Sequence, residues 1–247
     1  MKEYGPTTFG DLHADEYDAL HDPGTTDACV DLIAELAGTR EVLELAIGTG
    51  RIALPLAARG LSVSGFDASP EMLQKLREKP GGEALQTWVA DMARFDLGQM
   101  FDFAYLVFNT LYNLTSQQAQ TDCFQCVAKH LRPGGQFLVE AFMPNRERFE
   151  NNQAVRTKKV SFDSVLLEAA QHDPVAQTIH YQRIRFTEDG TSLNPLPMRY
   201  VWPSELDLMA ALAGLRPVAR WGGWQKQPLS ASSNMYVIVY EKPATEA

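Results

Sequence analysis

The 247-residue chain predicts an α/β fold, a central sheet with helices on both faces, on three observations. Between residues 41 and 67 an apolar strand (Val42 to Leu45) runs into a glycine turn, a helix follows, and a second strand ends on the acid Asp67. One βαβ unit therefore presents backbone amides and a carboxylate at one sheet edge, the arrangement that receives a nucleoside. From about residue 155 to 200 helical period gives way to strict alternation, which marks an antiparallel β insertion. The tail, where Trp221–Trp224 and Met235–Glu241 flank a polar loop, reads as an antiparallel strand pair rather than a second parallel βαβ half.

The elements follow in order. A lead-in helix opens at Thr25 or Thr26 as N-cap, carries an apolar stripe of Val30, Ile33, Ala34 and Leu36, and stops at Gly38. The helix after the glycine turn is expected from about Arg51 to Arg59, with Gly60 ending it. Ser69-Pro70 places an N-cap before a proline at the first helical position, and Thr115 or Ser116 opens a helix reaching about His130. Strands are expected at Phe103–Phe108 and Gln136–Phe142. Three antiparallel strands then follow, around Lys159–Glu168, Thr178–Phe186 and Met198–Trp202, before a last helix from Pro203 to Gly214. The organisation expected is one domain: a helical lead-in (1–38), a core (39–143), an inserted β-rich cap (144–202), and the closing helix with its strand pair (203–247).

Composition limits the function. A net charge of −9 argues against a nucleic-acid partner, because such binding rests on phosphate neutralisation. No stretch approaches the roughly 20 apolar residues that cross a bilayer, so no membrane partner is expected. Three cysteines form no disulfide framework and suit a cytoplasmic protein. Residues 1–140 hold 10 Lys+Arg against 20 Asp+Glu, whereas residues 141–247 hold 12 against 11, which leaves room for a basic pocket over an acidic core.

The glycine turn admits two ligand classes. Gly48 and Gly50 allow positive φ and bare backbone against a ligand, and Gly48-Thr-Gly50-Arg-Ile-Ala53 satisfies the pattern of nicotinamide-binding turns. Glu44 on the strand leading in points the other way. Its charge would repel a pyrophosphate and attract the cationic methionine end of S-adenosylmethionine.

At this point the chain resembles the class I S-adenosylmethionine-dependent methyltransferases, small-molecule type. Glu44, Gly48 and Gly50 match the first motif, with Ala46 at its first glycine. Phe66-Asp67-Ala68-Ser69-Pro70-Glu71-Met72-Leu73, Ala90-Asp91-Met92 and Leu131-Arg132-Pro133-Gly134-Gly135 continue it across most of residues 41–143. The resemblance implies a Rossmann-like seven-stranded sheet with the insertion after the fifth strand. It also implies a cofactor site of Tyr17, Glu44, Ala46, Gly48, Gly50, Arg51, Asp67, Ala68, Met72, Asp91, Met92 and Phe108. In that reading Asp67 holds the ribose, Asp91 meets the adenine amino group, and Tyr17, in a Tyr17-Asp18 segment, covers the cofactor.

The loop after the fourth strand, Phe108-Asn109-Thr110-Leu111-Tyr112-Asn113-Leu114, exposes two amides and a phenol where ligands bind in open α/β sheets. It is similar to the corresponding stretch of amino-sugar N-methyltransferases. Tyr112 and Asn109 are the candidates for orienting an acceptor, and His172 and His180 for a general base. Cys123, Cys126 and His130 share a helix face, but the same spacing is that helix's buried stripe, so no metal is expected. The function expected is methyl transfer from S-adenosylmethionine to a nitrogen or oxygen of a small-molecule acceptor. A non-catalytic cofactor-binding protein and an NAD-dependent oxidoreductase stand as alternatives, and a homodimer is admitted, with residues 155–200 as a cap or a dimer face.

Overall fold

The computed structural model describes residues 4–15, 17–20 and 24–244. A seven-stranded sheet forms the centre, built from β1 (Val42–Leu45), β2 (Val63–Asp67), β3 (Gln86–Val89), β4 (Phe101–Leu106), β5 (Leu131–Phe142), β10 (Arg216–Trp221) and β11 (Met235–Glu241). The order is β10-β11-β5-β4-β1-β2-β3. Strands β1 to β5 pair in parallel, and β11 runs antiparallel to both β5 and β10. The order reverses between β1 and β4, so the loops leaving their C-terminal ends diverge and open a crevice there.

Alternation along the buried strands assigns each side chain to one face. Leu43, Leu45, Ala104 and Leu106 pack beneath α6 (Gln117–His130) and α7 (Pro203–Leu212). Val42, Phe103 and Tyr105 pack beneath α3 (Thr26–Ala37), α4 (Ala53–Ala58) and α5 (Pro70–Arg77). Ser69 and Ser116 accept hydrogen bonds from the amides of Met72 and Ala119, the N-caps expected of them. Thr25 stands at the N-cap of α3, yet its side chain makes no capping bond. Two short helices, α1 (Thr8–His13) and α2 (Tyr17–Leu20), precede these elements. Among the described residues no helix is long and apolar enough to cross a membrane.

Several boundaries differ from expectation. The chain enters α4 at Ala53 rather than Arg51, because Gly50 holds φ at 82°. β4 ends at Leu106 rather than Phe108, since Phe108 and Asn109 adopt φ of 63° and 60°. The insertion has four strands, not three: β6 (Gln153–Val160), β7 (Ser164–Asp173), β8 (Thr178–Thr187) and β9 (Gly190–Arg199), paired in that order as a separate antiparallel sheet. The run expected as one strand from Lys159 is broken by a serine turn, in which Ser161 Oγ meets the carbonyl and hydroxyl of Ser164. The closing pair begins at Arg216, and Gly222 lies in the turn after it, where a Cβ would sit 2.4 Å from Ser233 Oγ.

The inserted sheet is fastened to the core by a buried cation. Arg199, at the end of β9, donates to Gln120 Oε1 on α6 at 2.6 Å and to Glu205 Oε1 on α7 at 2.7 Å. Gln120 Nε2 donates back to the Arg199 carbonyl at 2.8 Å. Ala170 and Ile179 of the insertion belong to the main apolar cluster, so the cap shares the core instead of resting on it.

Candidate active site

The crevice between the ends of β1 and β4 is a cavity of about 360 Å³, roofed by α1, α2 and the inserted sheet. That volume falls within the ~300–1,000 Å³ of small-molecule sites. Its floor is the glycine turn. Ala46 and Gly48 border it with φ of 53° and 56°, and a Cβ added at Gly48 would project into open space, its nearest atom the Ala46 carbonyl at 4.0 Å. Ala46, at the position where the family carries its first glycine, therefore sustains a left-handed backbone at a cost of about 1 kcal/mol.

Asp67, Ala68 and Met72 form the next wall. Asp67 Oδ2 accepts from the Gly48 amide and Oδ1 from the Ser69 amide, both at 2.9 Å, so the carboxyl is held rigid at the cavity edge. Burial raises its pKa, and these backbone donors oppose the rise. Asp91 and Met92 continue the wall after β3, with Asp91 Oδ1 fixed by the Ala93 amide at 2.9 Å. Tyr17 lines the cavity from α2, whose Asp18 accepts from Thr49 Oγ1 at 2.6 Å and pairs with Lys79 at 2.5 Å. Phe108 and Asn109 close the opposite side. Bare backbone beside Gly48, an anchored carboxyl at Asp67 and a second one at Asp91 fit the methionine, ribose and adenine parts of S-adenosylmethionine.

Three cofactor candidates lie elsewhere. Glu44 does not face the cavity: it is buried beneath α4, with Tyr105 donating to its Oε2 at 2.7 Å and the Ala53 amide also bonded to it. Burial pushes its pKa up to about 8, against the opposing pull of the Tyr105 hydroxyl, Arg51 and the Ala53 amide, and these contacts fix the start of α4. Gly50 is needed for packing, since a Cβ there would lie 2.9 Å from Leu54 Cγ and 3.2 Å from Leu76 Cδ1. Arg51 stands one layer behind the wall. Its guanidinium lies 4.6 Å from the Phe108 ring centroid, it donates to Thr26 Oγ1 at 3.0 Å, and it is hydrogen-bonded to Tyr17.

Of the four catalytic candidates only Asn109 borders the cavity, and its Oδ1 is engaged by the Phe142 amide. Tyr112 is wholly buried, with its hydroxyl among the carbonyls of Phe142 and Val201 and the Tyr236 hydroxyl. His172 is buried on the core-facing side of β7, in register with Ile179, stacked on Phe149 and hydrogen-bonded to Tyr200. His180, the next odd step along the sheet, is exposed on its outer face. Neither histidine lines the cavity. On α6, His130 takes the Leu97 amide at Nε2 and meets the Cys126 carbonyl at Nδ1, so both ring nitrogens serve the packing.

The wall residues that sequence reasoning passed over as site residues include Tyr4, Gly10, Arg183, Leu196 and Met198. Gly10 presses on Ser69, where a Cβ would come within 2.2 Å. Arg183, Leu196 and Met198 share one face of the inserted sheet; their parity with buried Ile179 was the available signal, once β8 and β9 are in register.

Fold and cavity together define a nucleoside-binding α/β protein whose cofactor position is built from one glycine turn and two anchored acids. Comparison with known proteins makes this specific. The methyltransferase domain family matches residues 42–135. The CcbJ methyltransferase of Streptomyces caelestis is 39% identical, with a TM-score of 0.91 over 98% of this chain and 100% of that one. A cypemycin N-terminal methyltransferase from Streptomyces sp is 26% identical over 206 residues, 82% of this chain and 83% of its own. The S-adenosylmethionine-bound amino pentose methyltransferase CalS10 of Micromonospora echinaspora shares the fold at 19% identity, with a TM-score of 0.66 over 97% of this chain and 100% of its own. The chain belongs to the S-adenosylmethionine-dependent methyltransferases.

Proposed function

We propose that the chain methylates a nitrogen of a small-molecule acceptor. The observation that carries this reading is the chemistry of the wall. Among the described residues, those bordering the cavity include no histidine, lysine or cysteine, and the only carboxyls are Asp67 and Asp91 on the cofactor side. The two phenols are poor bases, since burial pushes Tyr4 up to about 12 and raises Tyr17 as well. An alcohol needs a base to take its proton, whereas an unprotonated amine brings its own lone pair. A relative named as a cypemycin N-terminal methyltransferase supports the same choice.

When bound, S-adenosylmethionine would supply a methyl group on a sulfonium, the amine lone pair taking that carbon as the C–S bond breaks and S-adenosylhomocysteine leaves as the neutral thioether. Asp67 and Asp91 would hold its ribose and adenine, and the backbone of Ala46 and Gly48 its methionine end. Tyr17 and Phe108, backed by Arg51, would shut water out of the reacting end. The loop from Phe108 to Leu114 would hold the acceptor in near-attack geometry, which supplies most of the acceleration. That loop is rigid because Glu140 on β5 accepts from the Phe108 amide and Asn109 Oδ1 accepts from the Phe142 amide.

On this reading lead-in, core, cap and closing pair act as one domain, and the three unpaired cysteines suit the cytoplasm. The outer face of the inserted sheet, with Val155, Val160 and Leu193 exposed and Phe162 beside them in the β6–β7 turn, would meet a second copy of the chain. Formation of S-adenosylhomocysteine from a panel of primary and secondary amines and their matched alcohols tests the proposal. Turnover of amines supports it, and turnover confined to alcohols overturns it.

A further inference from the structure

The acceptor side of the cavity has a polarity that the methyl-transfer chemistry does not require. Arg183 is the one cationic residue among the described residues that border it. It lies on the inner face of β8, in register with Glu168 on β7 and Asn194 on β9. Its Nε is 3.5 Å from Glu168 Oε2, and the other oxygen of Glu168 lies 3.8 Å from Lys158 Nζ, so this carboxylate serves two cations. Beside Arg183, across the cavity rim, stands Tyr4. Its hydroxyl is buried and has no hydrogen-bond partner among the described residues, and it lies within the field of the guanidinium. Because burial holds that phenol protonated up to about 12, it presents a donor. The two cavity carboxyls, Asp67 and Asp91, stand on the cofactor side, at the end of β2 and after β3.

A guanidinium and a phenol O–H at one rim call for a group that only accepts hydrogen bonds and carries negative charge. We propose that Arg183 and Tyr4 form a subsite for an oxyanion of the acceptor, a carboxylate or a phosphate, so that the substrate is an acidic amine; this rests on the cavity being the acceptor site. The neutral end of the acceptor then lies toward Leu196 and Met198 on the same sheet face, with its nitrogen directed at the Phe108–Leu114 loop. The basic balance of residues 141–247 has here a local expression: the insertion brings cationic side chains to an otherwise acidic core.

The test uses the full chain saturated with S-adenosylhomocysteine, and adds acetate, inorganic phosphate or uncharged acetamide at constant ionic strength while the melting temperature is followed. Acetate or phosphate should raise it in a saturable way, by about 3 °C at ten times its Kd, and acetamide should not. The anion that acts distinguishes a carboxylate from a phosphate. Arg183→Gln should weaken anion binding at least tenfold, Arg183→Lys should restore part of it, and Tyr4→Phe should weaken it less. S-adenosylhomocysteine affinity, measured in each protein, should stay within a few-fold. Equal responses of the wild type and Arg183→Gln to both anions would overturn the proposal. So would a tenfold loss of S-adenosylhomocysteine affinity in Arg183→Gln, because the arginine would then serve the cofactor's own carboxylate. Failure of every protein to bind S-adenosylhomocysteine would refute the cofactor reading instead.

Discussion

Tyr112→Phe separates a structural phenol from a catalytic one. The sequence places this hydroxyl beside the acceptor, but the structure encloses it, with Phe142 O at 2.9 Å, Val201 O at 3.1 Å and Tyr236 Oη at 2.9 Å. Val201 keeps a second donor in Tyr236 at 3.3 Å, so the variant deprives chiefly the Phe142 carbonyl and the Tyr236 hydroxyl. Removing a buried neutral hydrogen bond costs about 1 kcal/mol, and stranding its partner raises the cost to about 3 kcal/mol. In a chain of this size each kcal/mol lowers Tm by about 2–4 °C, so a fall of about 3–10 °C is expected in scanning calorimetry. S-adenosylhomocysteine affinity should stay within a few-fold, and the methyl-transfer rate below the new Tm within about tenfold. A Tm within about 1 °C of the wild type, combined with a hundredfold loss of methyl transfer, would refute the reasoning.

Other outcomes follow from the same contacts. Glu44 has its pKa raised mainly by burial, from 4.5 to about 8. The stability this protonated acid contributes is complete below about pH 4.5 and is lost as pH rises towards 8, with Glu140, raised to about 7, acting in the same direction. Thermal melts from pH 5 to 8.5 should therefore show a falling Tm, and Glu44→Gln should flatten the fall; an unchanged slope refutes the burial argument. Gly50→Ala should lower stability by about 1–3 kcal/mol in denaturant titrations, through positive φ and the Leu54 contact, and an unaltered midpoint would contradict it. Asp67→Asn should weaken S-adenosylhomocysteine binding at least tenfold by calorimetry, since an amide can no longer accept on both sides. His172→Ala and His180→Ala should each reduce kcat by less than about tenfold, far from the ~10²–10⁴ of a lost base; a thousandfold loss would restore the oxygen acceptor.

The cofactor half of the site was legible because it is local. Ala46, Gly48, Asp67, Ala68 and Met72 fall within one βαβ unit and the turn after it, where strand ends dictate what faces the crevice. Even there the direction of a side chain was not readable. Glu44 and Gly50 belong to the same motif, but strand parity turns the first beneath α4, and a φ of 82° turns the second toward Leu54 and Leu76. The acceptor half depends on contacts distant in sequence. Arg183 reaches the cavity only because β8 pairs with β9 and the Arg199–Gln120–Glu205 cluster docks that sheet on the core. Tyr112 and Asn109 looked free in an exposed loop, and their partners on β5 and β11 come from 30 or more residues away. The fourth inserted strand was hidden because the turn around Ser161-Phe162-Asp163-Ser164 carries an apolar Phe162 between Val160 and Val165, so the run reads as one strand.

Calorimetric titration of the full chain with S-adenosylmethionine, S-adenosylhomocysteine and NADH, beside the Asp67→Asn variant, tests the central claim most directly. The arrangement of Gly48, Asp67 and Asp91 predicts stoichiometric binding of the first two ligands, none of NADH, and at least tenfold weaker binding by the variant. Binding of NADH in their place, or an Asp67→Asn variant as tight as the wild type, would contradict it.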